Sequence, residues 1–215
     1  MAEKEQWRLE KEQLVKNYHE QNLNAVKGGV VFTGSSLMEM FPLEKWVAKL
    51  PQPKPIVYNR GVGGYKTNEL LEIIDICAIE LEPKKLFINI GTNDLSDSSI
   101  SMDTIIDNYD KILCRVEKAL PNTVIYLMAY YPVNYEAAAE DMKECLKIRT
   151  NEKIKKANEA VKKLAEKHNQ RYIDISDNLK DNLGRLKSEY TIEGLHINEK
   201  GYRAIFDDLM KYVME

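Results

Sequence analysis

Five short apolar runs, with helix-like segments between them, limit what this chain can fold into. They are GVVFT (29–33), PIVYN (55–59), KLFINI (85–90), TVIYLMAYY (123–131) and RYIDI (171–175). Each is nearly continuous in apolar and β-branched residues, the pattern of strands covered on both faces. Between them, residues 67–80 open at Thr67 as a helix N-cap region, and residues 101–120 run from a Ser101 cap to the residue before Pro121. Residues 148–168 place Ile154, Ala157, Val161 and Leu164 at three- and four-residue steps, and a last helix follows a cap at Asn198. Strand–helix alternation of this kind predicts an α/β fold, a three-layer α/β/α sandwich around a five-stranded parallel sheet.

Residues 1–27 add an N-terminal helix, with Trp7, Leu14, Val15 and Tyr18 as an apolar stripe docking on a domain of residues 28–215. That stripe could cover its own chain or a neighbour, so no oligomeric state follows. Residues 133–147 read as a lid or rim helix. With 215 residues, 44% hydrophobic and 30% charged, the chain has the composition of an ordinary globular domain. A net charge of −3 lacks the basic footprint of a nucleic-acid binder. The longest apolar runs fall far short of the roughly 20 residues that span a bilayer. The charged N-terminus has no apolar signal core, which predicts a cytoplasmic protein. Cys77, Cys114 and Cys145 fit no metal spacing, and their odd number argues against a disulfide framework.

In a doubly wound sheet, ligands bind at the carboxyl ends of the strands. After the first run comes Gly34-Ser35-Ser36-Leu37, where a serine enters a crevice or caps a helix. After the second comes Asn59-Arg60-Gly61-Val62-Gly63-Gly64, whose bare N–H groups suit an anion, an oxyanion or simply a tight turn. The G-x-G-x-x-G spacing of a dinucleotide loop is not met. After the third comes Gly91-Thr92-Asn93-Asp94, in which the Asn93 amide is a neutral double donor, though turn chemistry also explains it. Of three histidines, His19 and His168 lie in charged helical stretches and read as solvated. His196 lies in a loop before the last helix, three residues after Glu193, a carboxylate able to orient the imidazole.

Taken together, these residues resemble the SGNH hydrolases of the GDSL-type esterase/lipase/acylhydrolase family, from about residue 28 to the C-terminus. TGSSL is similar to the G-D-S-L block, NRGVGG to the second block, GTND to the G-x-N-D block and EGLH to the D-x-x-H block. The resemblance implies the flavodoxin-like strand order of that family and a serine esterase working through an acyl-enzyme. Ser36 would be the nucleophile, His196 the base and Glu193 the triad acid. The oxyanion hole would comprise the N–H groups of Ser36 and Gly64 and the Asn93 amide. No cofactor or metal is implied, and the partner is a small-molecule ester. Family members act on acetylated sugars, lysophospholipids, thioesters and short-chain esters; a short acyl or acetyl group is the expectation here. The same site would also serve an acyltransferase, or persist in an inactive binding member. Two residues depart from the pattern: Ser35 and Glu193 each stand where the family has aspartate. Phe41, Tyr65, Tyr130, Tyr131 and Tyr135 are the aromatic candidates for an acyl or sugar site, though core packing explains some of them.

Overall fold

The computed structural model describes residues 2–215, with side chains from Glu5 onward. Its strands are β1 (Val30–Gly34), β2 (Val57–Gly61), β3 (Lys85–Asn89), β4 (Val124–Met128) and β5 (Arg171–Ile173). All pair in parallel, in the order β2-β1-β3-β4-β5. The expected fold class is therefore the observed one. The helices are α1 (Ala2–Asn22), α2 (Ser36–Glu39), α3 (Leu43–Val47), α4 (Thr67–Cys77), α5 (Thr92–Leu95), α6 (Met102–Ala119), α7 (Lys143–Ile148), α8 (Asn151–Lys167) and α9 (Glu199–Met214).

The central strands explain why two layers of helix are needed. Every residue of β1 is buried, so both faces require cover. On one face Val31, Leu86 and Ile125 pack with Leu70 and Ile74 of α4, Tyr109 and Ile112 of α6, and Val161 of α8. On the other, Phe32, Phe87 and Tyr126 occupy register-matched positions across β1, β3 and β4, with stacked rings 4.5 and 4.4 Å apart. Ile205, Phe206 and Leu209 of α9 join that core, as does Trp46 of α3.

Several boundaries differ from those the sequence suggests. β2 starts two residues late, and the chain leaves the sheet after Met128, so residues 129–131 belong to the strand-end loop. The Ala129 N–H still donates to the Ile173 carbonyl, after which the Tyr130 N–H donates to the Asn158 side chain and, two residues past Tyr131, the Val133 N–H to Asn151. The helical pattern over 148–168 is broken at Arg149–Thr150, because the Thr150 side chain accepts from the Lys153 N–H and starts α8. Residues 133–147 form an irregular rim that ends in the short α7 rather than one helix. Lys66, not Thr67, occupies the N-cap of α4; its N–H donates to Glu69 at 2.8 Å, while Thr67 lies inside the helix and bonds Asp94.

On α1, Val15 and Tyr18 are buried as expected, and the Tyr18 hydroxyl donates to the Gly61 carbonyl. Arg60 of β2 is 3% exposed, donates to Asn22 and lies under the Tyr18 ring. Trp7 is 43% exposed and packs elsewhere than the core. His168 is not solvated: its side chain is 7% exposed and held by Asp110 and Glu117 of α6, both at 2.8 Å. His19 is half exposed and bonds Glu80. Cys77 is buried, Cys114 exposed and Cys145 intermediate, all as free thiols. Among the described residues, no helix is long and apolar enough to cross a membrane.

Candidate active site

The carboxyl ends of β1, β2 and β3 converge where the chain needs glycine. Gly34 closes β1 at φ +148°, and a Cβ there would run into the Asn89 carbonyl at the end of β3. The backbone can then turn straight into α2, which presents Ser36 as its first residue. Two side chains hold α2 and the residues after it in place. Asn59 donates to the carbonyls of Met38 and Phe41, its own Oδ1 accepts from the Gly61 N–H, and the Tyr202 hydroxyl of α9 donates to the Leu37 carbonyl.

The loop after β5 delivers the histidine. Ile192 and Thr191 both bond the His196 carbonyl, folding residues 191–196 into a tight turn. Ser36 Oγ lies 2.9 Å from His196 Nε2, and His196 Nδ1 lies 2.5 Å from Glu193 Oε1. The His196 N–H also donates to that oxygen at 3.2 Å. With a carboxylate acceptor on Nδ1, the neutral ring carries its proton there and leaves Nε2 free to accept from the serine. Glutamate in place of aspartate thus reaches the imidazole. Its other oxygen is buried, without a partner among the described residues. So is the Ser35 hydroxyl, at the second position that departs from the family pattern.

The predicted oxyanion donors fall beside Ser36. The N–H groups of Ser36 and Gly64 donate to no acceptor among the described residues. Gly64 adopts φ +77°, and a Cβ there would collide with the Trp7 ring. Asn93 of α5 donates through Nδ2 to the Tyr65 carbonyl at 3.0 Å, which uses one of its two amide hydrogens. Asp94 is buried and accepts from the N–H and hydroxyl of Thr67, tying α5 to the start of α4. Burial pushes the Asp94 pKa up, against those bonds.

Ser36, Gly64, Asn93 and His196 line one cleft of about 430 Å³. Its other walls include Met142 and Cys145 from the expected rim segment, together with Trp7 and Lys11 of α1, Glu39, Met40 and Arg149, which the sequence did not single out for the site. Lys11 bonds both Glu39 oxygens, and Glu39 in turn accepts from the Gly63 N–H. Arg149 is 3% exposed. Burial lowers its pKa to about 10, opposed by the carboxylate charges of Asp94 and Glu193, so it remains a cation at neutral pH. The aromatic candidates are placed elsewhere. Phe41, Tyr130 and Tyr131 are in the core, Tyr65 faces a neighbouring groove with Trp7, and Tyr135 lies on the surface. A separate cavity of about 550 Å³ beside α8 and β5 is lined by Tyr130 but by none of the predicted triad or oxyanion-hole residues.

Comparison with known proteins agrees with this architecture. A protein from Streptococcus pneumonia described as a platelet activating factor superposes with a TM-score of 0.86 at 32% identity, over 97% of this chain and 95% of that one. An acetylxylan esterase from Geobacillus stearothermophilus, solved as a catalytic mutant, shares the fold at 16% identity and a TM-score of 0.65, covering 87% and 95% of the two chains. The N-acylneuraminate cytidylyltransferase of Escherichia coli O18:K1:H7 (strain RS218 / NMEC) is 27% identical over 158 residues, 73% of this chain but 35% of that protein. This chain therefore spans about a third of that curated relative. Residues 32–204 match the GDSL-like Lipase/Acylhydrolase family, and the chain belongs to that family.

Proposed function

We propose that this protein is a carboxylic ester hydrolase that removes a short acyl or acetyl group through a Ser36–His196–Glu193 triad. The observation that carries the proposal is the unbroken hydrogen-bond chain from Ser36 Oγ through the imidazole to Glu193.

Ser36 Oγ attacks the ester carbonyl carbon while its proton passes to His196 Nε2. Glu193, already bonded to Nδ1, stabilises the imidazolium that forms. The carbonyl oxygen becomes an oxyanion facing the N–H groups of Ser36 and Gly64 and the free hydrogen of the Asn93 amide. Each such donor contributes about 3 kcal/mol, or 10²-fold or more in rate. Collapse of the tetrahedral intermediate breaks the bond to the leaving alkoxide, which takes the proton from His196. Water then attacks the acyl-enzyme along the same route, giving the carboxylic acid and free Ser36.

A cleft of about 430 Å³, walled on its apolar side by Trp7, Met40, Met142 and Leu195, suits a small acyl group better than a long chain. Hydrolysis of p-nitrophenyl acetate, butyrate and octanoate tests both statements. Wild type should cleave acetate or butyrate fastest, and Ser36→Ala should fall to background on all three. Equal rates for wild type and Ser36→Ala would remove the assignment.

A further inference from the structure

Arg149 lies in the turn between α7 and α8, and its guanidinium meets α5 at two points. Nη2 donates to Asn93 Oδ1 at 2.9 Å, and Nε donates to Ser96 Oγ at 2.6 Å. A guanidinium has donors and no acceptor, so only the carbonyl oxygen of the Asn93 amide can face it. That settles which way the amide is turned. Nδ2 must point to the other side, where one hydrogen goes to Tyr65 and the second has no protein acceptor among the described residues.

The helix that carries Asn93 needs such anchoring. α5 has four residues, too few for its own backbone bonds to fix its orientation. Asn93 lies on it and Ser96 caps its C-terminal end three residues later, so a rigid planar fork touching both sets its rotation as well as the amide. Lys153 of α8 adds a bond to the Leu95 carbonyl at 2.7 Å. A cationic donor on Oδ1 also draws electron density out of the amide, making the Nδ2 hydrogens stronger donors.

We infer that Arg149 is the positioning residue of the oxyanion hole, holding and polarising the Asn93 amide so that Nδ2 is offered to the developing oxyanion. The inference rests on the ester-hydrolase reading, because it assigns Arg149 an action through Asn93 on the charge formed in that reaction. Arg149 itself touches neither Ser36 nor His196 in the hydrogen-bond network.

The test is a double-mutant cycle on p-nitrophenyl acetate hydrolysis with Asn93→Ala, Arg149→Met, Arg149→Lys and the Asn93→Ala/Arg149→Met pair. Arg149→Met should lose about tenfold or more in kcat with KM within about twofold, and Arg149→Lys should recover part of the loss. In the Asn93→Ala background, Arg149→Met should cost less than about twofold, since the group it acts through is gone. Losses that multiply in the double variant identify a general packing role and overturn the inference. Should Arg149→Met not fold, Arg149→Lys in both backgrounds gives the same comparison. If wild type hydrolyses no ester, the ester-hydrolase reading fails on its own, and the Arg149–Asn93 link is read from the side-chain amide NMR signals of Asn93. Those signals should be shifted and slow to exchange in wild type, and should move to solvent-like values in Arg149→Met. Unchanged Asn93 signals in that variant would overturn the link itself.

Discussion

Lys11 on the N-terminal helix bonds both carboxylate oxygens of Glu39, at 3.0 and 2.8 Å, and Glu39 holds the N–H of Gly63 beside the proposed oxyanion loop. A helix that lies outside the strand–helix alternation therefore braces the sheet edge that carries the proposed site. Lys11→Ala should leave thermal stability within about 1 kcal/mol, because a partly exposed ion pair contributes little. It should nonetheless lower kcat by up to about tenfold, since a loosened Gly63–Gly64 segment misplaces an oxyanion donor. Steady-state kinetics together with a thermal melt separate the two effects.

Gly64 and Trp7 form a second link between α1 and that loop. Gly64→Ala places a Cβ in a left-handed backbone and against the indole. The expected loss of stability is about 1–3 kcal/mol, with a fall in kcat. Trp7→Ala removes the collision but not the backbone strain, so the pair should recover only part of the loss. Urea unfolding of the two single variants and the pair measures it.

Glu193→Gln keeps the shape of the proposed triad acid and removes its charge. The imidazolium then loses its counter-charge, and an amide that turns its NH₂ to Nδ1 would select the wrong tautomer. A fall in kcat of about 10²–10⁴-fold is expected, with little change in KM. Stopped-flow or steady-state ester hydrolysis reads it directly. A glutamine variant with full activity would mean that Glu193 only shapes the loop.

His168 supplies a pH dependence away from the site. Burial opposes its charged form, but hydrogen bonds and the charges of Asp110 and Glu117 outweigh it, and the folded pKa is raised above 6.5. A raised cationic pKa stabilises the fold fully below the unfolded value of about 6.5, and the contribution disappears as pH climbs through the folded value. The melting-temperature gap between wild type and His168→Gln should thus be widest near pH 6 and close towards alkaline pH. A gap independent of pH would show that the ring contributes packing alone.

The layers and the parallel sheet were legible because buried parallel strands write themselves as continuous apolar runs, and because Ser101 and Asn198 mark real helix starts, whereas the strand order followed only from the family resemblance. What the sequence concealed is physically consistent. His168 reads as solvated because its partners Asp110 and Glu117 lie on another helix, and only tertiary packing turns three charged residues into a clamp. Arg149 is hidden in a basic helical pattern, although Thr150 followed by Asn151 is a capping signal that would have placed a break there. Trp7 sits on the same periodic stripe as Val15 and Tyr18, yet its ring lies against Gly64, so it walls the cleft instead of the core. Of the aromatic candidates, Phe41, Tyr130 and Tyr131 fill the sandwich, as core packing also explained, and the Tyr130 hydroxyl donates to the Ile90 carbonyl.

Covalent labelling tests the central claim most directly. Incubation with a fluorophosphonate, followed by intact-mass and peptide mass spectrometry, should find one adduct, located on Ser36. The adduct should persist in Ser35→Ala and vanish in Ser36→Ala, and His196→Ala should slow its formation by orders of magnitude. An adduct on Ser35, or none on wild type, would contradict the assignment of Ser36 as a nucleophile activated by His196.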